Sequence, residues 1–190
     1  MLLAALGLIE DRGPRAVTHR SVARAAGVPL AATTYYFSSI DDLLASALEL
    51  ATEEEIARFR VEADELLSAV EVGPAPAERL AELMLAALAG ERKALIAQYE
   101  LWLEATRRPA LRESARRSTE AYVELATELL RRVGSAAPET DGRLLIAAVD
   151  GLLLEALTEP GEIDPAGLRP ALTRLLAALS APVPERLPAS

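Results

Sequence analysis

The sequence predicts an all-α fold of about nine helices, and three observations support this prediction. Alanine (38 residues) and leucine (34 residues) dominate the 190 residues, and both are strong helix formers. Valine, isoleucine and threonine, which favour strands, number only 10, 6 and 10. Glycine and proline divide the chain into helix-length segments, and no segment alternates apolar and polar residues as a strand does.

The first four helices have clear start and stop signals. The first begins near Leu2 and ends at Gly13-Pro14, and the second has Thr18 as its N-cap and closes at Gly27. The third runs from Leu30 to Tyr36, directly after Pro29. The fourth is capped by Ser38 or Ser39, carries acidic residues in its first turn and continues towards Val70, before the break Gly73-Pro74-Ala75-Pro76.

Five further amphipathic helices follow this break. They span about 77–89, ending at Gly90; about 91–107, ending before Pro109; about 109–133, ending at Gly134; about 139–158, closed by Pro160-Gly161; and about 165–180. We expect the proline-rich residues 183–190 to form a frayed tail.

The composition excludes several classes of function. The absence of cysteine excludes disulfides, zinc fingers, iron–sulfur clusters and thiol catalysis, and a single histidine, His19, excludes nearly all histidine-based metal sites. There is no nucleotide-binding glycine loop, no GxSxG motif and no di-iron motif. We therefore expect no enzyme, no catalytic residue, no metal and no cofactor. The apolar opening lacks the features of a signal peptide, and no segment is apolar enough to span a bilayer, which indicates a cytoplasmic protein without a membrane partner.

Residues 18–37, THRSVARAAGVPLAATTYYF, have the pattern of a helix-turn-helix. We expect Val22, Ala26 and Val28 to be buried, with Phe37 beneath them. The side chains then free to face DNA are Arg20, Thr33, Thr34, Tyr35 and Tyr36. Three consecutive aromatic residues cannot share one helical face, so at least one of them must point outward.

The charge is unevenly distributed, which fits a DNA-binding segment at the N-terminal end. The whole chain carries a net charge of −9, and residues 46–190 account for all of it. Residues 1–45 hold four arginines (Arg12, Arg15, Arg20 and Arg24) against four acidic residues.

On these residues the segment resembles the tetracycline-repressor (TetR) family of bacterial transcription regulators. The shared features are the Thr18 cap, Val22-Ala23, Ala26-Gly27-Val28, and Tyr35-Tyr36-Phe37 followed by a serine cap and an acidic helix start, all within residues 2–50. The resemblance implies a helix-turn-helix DNA-binding domain at 1–45 and a ligand-binding and dimerisation domain at 46–182. It implies a homodimeric repressor that binds a palindromic operator and is released by a small, largely apolar effector.

The resemblance also implies roles for individual residues. Thr18 and His19 correspond to phosphate contacts, although His19 could instead be an exposed helix-start residue, and Arg20 corresponds to a base-reading residue suited to guanine. The implied contacts of the third helix are Leu30, Ala31 and Ala32 at its N-terminal end and Thr34, Tyr35 and Tyr36 in its remainder. The family usually has a phosphate-binding lysine where this chain has Ile40, which would lower DNA affinity.

The effector pocket is expected around a cluster of polar and aromatic side chains. Gln98, Tyr99 and Trp102 stand close together in the chain, and Gln98 is its only glutamine. Tyr122 is a further polar candidate for this pocket. The alternative is that Tyr99 and Trp102, three residues apart on one helix, are simply part of the core.

The last two long helices are the expected dimer interface. Their apolar residues are Ile146, Val149, Leu153, Leu157, Leu172, Leu175, Leu176 and Leu179. Gly151, in the middle of a helix, suggests a close helix approach. An alternative function is a helical dimeric interaction module whose DNA-binding head has decayed; a salt-dependent shift of promoter DNA distinguishes the two.

Overall fold

The computed structural model describes residues 1–68, 76–88 and 92–180, and these ranges contain nine α-helices and no strand. The helices are α1 (Leu2–Arg12), α2 (His19–Ala26), α3 (Leu30–Tyr36), α4 (Ile40–Ser68), α5 (Pro76–Leu88), α6 (Arg92–Arg107), α7 (Arg112–Arg132), α8 (Pro138–Ala156) and α9 (Pro165–Leu179). The all-α prediction is confirmed. None of the helices within these ranges has the length and hydrophobicity needed to cross a membrane.

The chain forms two compact units. The first unit comprises residues 1–58 and 91–121, and the second comprises residues 59–90 and 122–190. The boundaries between them fall inside α4 and between Ala121 and Tyr122 of α7. These two units are defined by packing. The boundary predicted at residue 45 separates two functions instead, and it stays a prediction.

The two short helices of the predicted helix-turn-helix begin and end at the predicted residues. The Thr18 hydroxyl oxygen accepts from the backbone N–H of Ser21 at 3.0 Å, and the Ser21 hydroxyl oxygen accepts from the backbone N–H of Thr18 at 2.8 Å. This reciprocal capping box satisfies two donors at the start of α2. Gly27 closes α2 in the left-handed conformation with φ of 67°, which glycine adopts without steric cost.

Ser39, rather than Ser38, caps α4. The Ser39 hydroxyl oxygen accepts from the backbone N–H of Asp42 at 3.0 Å, while the Asp42 carboxylate accepts from the backbone N–H of Ser38 at 2.9 Å. The predicted end of this helix near Val70 lies outside the described residues. So do Gly73, Pro74 and Ala75 of the predicted break, Gly90 and the expected frayed tail at 183–190.

The prediction of one helix over 109–133 is wrong at its start. Pro109–Leu111 form a 3₁₀ turn, and α7 begins only at Arg112. The turn is closed by the Leu111 N–H, which donates to the Arg108 carbonyl at 3.0 Å. Pro109 has no N–H and a fixed φ, so the chain tightens here before the α-helix is established.

The core of the first unit is shared by the N-terminal helices and α6. Its buried members are Ala5, Ile9, Val17, Val22, Leu43, Leu44, Ala47, Leu48, Ala97, Leu101, Ala105 and Leu111. Because α6 packs against α1, the core of the N-terminal helices is covered by a helix that lies more than 40 residues further along the chain.

Two side-chain hydrogen bonds join α4 to α7 within the described part of the first unit. The Thr52 and Ser118 hydroxyl oxygens lie 2.8 Å apart, and both residues are buried. The Ser114 hydroxyl donates to the Glu49 carboxylate at 2.7 Å. Breaking a buried polar pair costs free energy, so these contacts oppose sliding of α4 along α7.

In the second unit, α9 packs against α5 and α8. Leu153, Leu172 and Leu176, which the sequence placed in the dimer interface, are all buried inside this unit. That part of the prediction is wrong, because a core leucine and an interface leucine have the same periodicity in a helix. The remaining residues of the predicted set, Ile146, Val149, Leu157, Leu175 and Leu179, are half-buried.

Within the single chain the close helix approach is at Gly142, and an approach at Gly151 by a partner subunit stays a prediction. Gly151 is exposed, and a Cβ added there would meet nothing within 4 Å. Gly142 is buried, and an added Cβ would collide with the Thr127 hydroxyl oxygen and stand 3.0 Å from the Thr127 backbone nitrogen. A side chain at position 142 would therefore force α8 away from α7.

Candidate nucleic-acid interface

The predicted DNA-contacting residues lie largely on the surface of α2 and α3. Thr18, Arg20, Leu30, Ala31, Thr34, Tyr35 and Tyr36 are exposed, whereas His19 and Ala32 are half-buried. Tyr35 and Tyr36 are 83% and 67% exposed, and their rings meet edge to face with centroids 5.1 Å apart. The two adjacent rings form one exposed aromatic patch, and such a patch is typical of an interaction site.

Thr33 does not face outward as the sequence suggested. It is completely buried, and its hydroxyl donates to the Leu30 carbonyl at 2.8 Å. Because α3 packs against α2, one side of this seven-residue helix must face the protein interior. Thr34, the next residue, is exposed and remains a candidate contact.

The expected core of the helix-turn-helix is only partly confirmed. Val22 is fully buried, but Ala26, Val28 and Phe37 are half-buried. Phe37 packs at the margin of the core of the first unit. A helix of eight residues joined to one of seven is too small to enclose all four side chains, so three of them stay at the surface of the unit.

All four arginines of the first 45 residues are available for a partner. Arg12, Arg15, Arg20 and Arg24 are exposed, and their guanidinium groups make no hydrogen bond or ion pair with the residues that the structure describes. In α7, by contrast, Arg116, Arg117, Arg131 and Arg132 are each paired with a carboxylate. Unpaired guanidinium groups can bind phosphates or the edge of guanine without first breaking an internal ion pair.

Three of the four acidic side chains in the same segment already have partners. Asp11 accepts from Lys93 at 3.2 Å, Asp41 accepts from Arg108 at 2.7 Å, and Asp42 accepts from the Ser38 backbone. Residues 1–45 are neutral by count, but Lys93 and Arg108 compensate two of their four negative charges. Four arginines without a partner among the described residues then remain against two acidic side chains, a local excess of positive charge that the whole-chain charge of −9 conceals.

His19 and Ile40 are two further positions at which the sequence was compared with the TetR pattern. The His19 Nδ1 atom is shielded from solvent and has no hydrogen-bond partner among the described residues. Ile40 packs at the margin of the core of the first unit. The lysine that the family usually has at this position is thus replaced by a side chain that takes part in packing and offers no charge to a phosphate.

The predicted effector residues lie in both units. Gln98, Tyr99 and Trp102 are half-buried on α6 in the first unit, and Tyr122 is half-buried in the second unit. The Tyr99 and Trp102 rings meet nearly edge to face, with centroids 5.5 Å apart. Trp102 also packs against the core of the first unit, so the core alternative describes at least part of its environment.

A small apolar cavity lies in the second unit, and none of the predicted effector residues lines it. Its lining residues are Leu88, Val149, Leu152, Leu153, Leu168 and Leu172, and its volume is about 10 Å³. This volume is close to that needed by a single water molecule. Sequence reasoning missed it because its leucines have the same helical periodicity as the core.

Two family descriptions match the chain, and between them they span most of its length. Residues 1–47 match the family described as "Bacterial regulatory proteins, tetR family", and residues 75–178 match "Tetracyclin repressor-like, C-terminal domain". The HTH-type transcriptional regulator PksA of Bacillus subtilis (strain 168) is 27% identical in an alignment of 169 positions that covers 83% of this chain and 77% of PksA.

Solved structures of similar sequence have the same fold over nearly the whole chain. The multidrug binding protein EbrR complexed with imidazole is 35% identical, with a TM-score of 0.70, over 97% of this chain and 94% of EbrR. The complex of EbrR with ethidium is 34% identical, with a TM-score of 0.69, over 92% and 94%. The TetR-family member SCO1917 from Streptomyces coelicolor A3 is 36% identical, with a TM-score of 0.71, over 92% and 94%.

Proposed function

The chain belongs to the tetR family of bacterial regulatory proteins, and from this premise we propose that it is a homodimeric repressor released from a palindromic operator by a small effector. It is a DNA-binding transcriptional regulator and not an enzyme. Repression, dimerisation and the response to an effector are the proposed steps. A regulator that acts on chromosomal DNA works in the cytoplasm.

The observation that carries the proposal is the exposed guanidinium of Arg20 on α2, which has no partner among the described residues, next to α3 with its exposed side chains. In the proposed complex, α3 enters the major groove and Arg20 forms two hydrogen bonds with a guanine. Thr18 and His19 bind phosphates, and the exposed N-terminal end and aromatic C-terminal end of α3 contact bases and backbone. The DNA-binding domain of this proposal is residues 1–45, and residues 46–182 serve effector binding and dimerisation.

The DNA step is tested by selecting binding sites from random duplexes with the purified chain. We expect an inverted repeat whose half-sites lie about one helical turn apart, roughly 34–36 Å. Affinity for this site should fall steeply with salt, because phosphate contacts release counterions. Enrichment of no sequence, or of single half-sites only, would contradict the palindromic operator.

The exposed face of α8 supports the proposed homodimer. Leu144 and Leu154 are 53% and 51% exposed, and Ala147 and Gly151 are exposed between them. These residues recur every three or four positions, so they form one apolar stripe along the helix. The open space beside Gly151, which the chain itself does not fill, would let a second α8 approach closely.

The proposed effector is a small, largely apolar molecule, held by Gln98, Tyr99 and Trp102 of the first unit. The EbrR structures support this class, because that similar protein was solved with ethidium and with imidazole. Binding would favour one tilt of α4, the helix that follows the DNA-binding head. The change in operator affinity can be no larger than the difference in effector affinity between the two tilts.

The effector step is tested with the fluorescence of Trp102, the only tryptophan. Ethidium and a panel of apolar metabolites should change this emission and, at the same concentrations, release labelled operator. Compounds that bind but leave operator affinity unchanged would make the pocket incidental to regulation.

A further inference from the structure

An open cleft in the first unit is lined by none of the residues of α2 and α3 that are proposed to contact DNA, and by none of the proposed effector residues. One wall is the segment from Arg12 to Arg15, which connects α1 with α2, and the other wall is the last two turns of α6. Glu100, Leu103, Glu104 and Arg107 line the α6 wall, and the cleft has a volume of about 250 Å³. This is just below the range of pockets that hold drug-sized ligands, so it suits a smaller molecule.

Glu100 gives the cleft an unsatisfied acceptor. Its Oε2 atom is shielded from solvent and has no hydrogen-bond partner among the described residues. It lies against Gly13, where an added Cβ would stand 2.9 Å from it. Removing water from a carboxylate oxygen without supplying another hydrogen-bond donor costs free energy. Binding of a ligand that donates a hydrogen bond to this oxygen would therefore be favoured.

Two unpaired cations line the same cleft. Arg12 and Arg15 are exposed and have no hydrogen bond or ion pair with the described residues, whereas Arg107 is 3.3 Å from the Glu104 carboxylate. A guanidinium group binds a carboxylate through two parallel hydrogen bonds. Leu103, which is 62% exposed, adds an apolar patch between the charged groups.

We propose that this cleft binds a free α-amino acid. The ammonium group donates to Glu100, the carboxylate binds Arg12 and Arg15, and the side chain lies along Leu103. A simple cation would be repelled by the two arginines, and a simple anion by Glu100, so a molecule that carries both charges close together fits the lining best. The site shares no residue with the proposed effector pocket and does not depend on it.

The test begins with the full chain and no DNA. Thermal unfolding is followed with each of the twenty common amino acids, and with the matching amine that lacks the carboxylate and the matching acid that lacks the ammonium group. We expect at least one amino acid to raise the unfolding midpoint, since a ligand of the folded state stabilises it. Its amine and its acid should leave the midpoint unchanged.

Titration calorimetry with that amino acid then locates the site. Glu100→Gln and Arg15→Ala should each weaken binding about ten- to a hundredfold, the effect of losing a hydrogen bond to a charged group. Glu53→Gln and Arg143→Ala, which change exposed residues outside the cleft, are the matched controls and should bind normally.

Three results would overturn the proposal. These are no stabilisation by any amino acid, equal binding of the amine or the acid, and unchanged affinity of a folded Glu100→Gln protein. Should Glu100→Gln fail to fold, the exposed Arg15→Ala decides alone, since this surface substitution leaves the core intact. Operator selection does not involve the amino acid, so a negative result here leaves the proposed regulator function untouched.

Discussion

Arg108 donates from Nη1 to the Asp41 carboxylate at 2.7 Å, and this ion pair joins the residue that follows α6 to the first turn of α4. The same guanidinium donates from Nε to Glu104 at 3.1 Å. These two partners, Asp41 above all, raise the pKa of Arg108. The helix that follows the DNA-binding head is thereby held directly by the end of α6, within the same compact unit.

Replacing Arg108 should destabilise the first unit. In Arg108→Met, Asp41 loses this ion pair and the buried Glu104 keeps only its contact with Arg107. We expect the free energy of unfolding in urea to fall by about 1–3 kcal/mol, since the pair is partly shielded from water. Arg143→Met is the control, because Arg143 is exposed and has no partner in the described part of the chain; an equal effect of the two would show that the ion pairs contribute nothing.

Arg20→Ala should weaken operator binding by about 1–3 kcal/mol and relax the preference at one base position in each half-site. The guanidinium has no partner within residues 1–68, 76–88 and 92–180, so its removal should leave the unfolding midpoint unchanged. Binding is measured against the operator and against all single-base variants of one half-site. A uniform loss across these sequences would make Arg20 a phosphate contact.

Thr33 and Thr34 should respond in opposite ways to alanine. Thr33→Ala removes a buried methyl group and the hydroxyl that bonds Leu30, so it should cost about 1–2 kcal/mol of stability. Thr34→Ala, at an exposed position, should stay within about 0.5 kcal/mol of the parent in stability but weaken operator binding. Both variants are measured by denaturation and by operator titration. A stable Thr33→Ala protein with weak operator binding, or an unstable Thr34→Ala protein, would contradict the prediction.

Charged residues on the exposed face of α8 should dissociate the proposed dimer. Leu144→Glu and Leu154→Glu introduce carboxylates that cannot be buried without a partner, so each should sediment as a folded monomer. Val61→Glu, at an apolar residue of α4 that is also exposed, should leave the oligomeric state as it is. Intact dimers for both α8 variants would place the interface elsewhere.

Glu113 should make stability depend on pH at the acidic end. Hydrogen bonds from Arg116, and then Arg117, lower its pKa from 4.5 to about 2. Its contribution is therefore complete above about pH 4.5 and is lost as the pH falls through 2, because the unfolded chain takes up the proton first. The difference in unfolding midpoint between the parent and Glu113→Gln should be largest near neutral pH and vanish near pH 2.

Two controls accompany this measurement. Added salt should shrink the difference at every pH, because the group is fully exposed and its ion pairs are screened. Glu53→Gln removes an exposed carboxylate elsewhere on the first unit and should not reproduce the pH dependence. A constant difference between the parent and Glu113→Gln from neutral to acidic pH would exclude the ion pairs as its cause.

The helix-turn-helix could be predicted closely because its signals are local. Thr18 and Gly27 fix the two ends of α2 through bonds to residues at most four positions away, so sequence alone carries the information. Thr33 could not be distinguished from Thr34 in this way, since its burial depends on the angle at which α3 meets α2. Leu153 and Leu176 show the same limit in the second unit, because periodicity identifies an apolar face but not what covers it.

The shared core of the first unit determines which residues must be transferred together when a hybrid regulator is built. Leu43 and Leu44 pack in one cluster with Leu101 and Leu111, so a head cut after residue 45 leaves half of its apolar contacts behind in the donor protein. In a chimera with the C-terminal domain of another regulator, this fragment would pack against an α6 that carries different side chains. Residues 1–58 should therefore be transplanted together with residues 91–121, as two inserted pieces that pack as one unit.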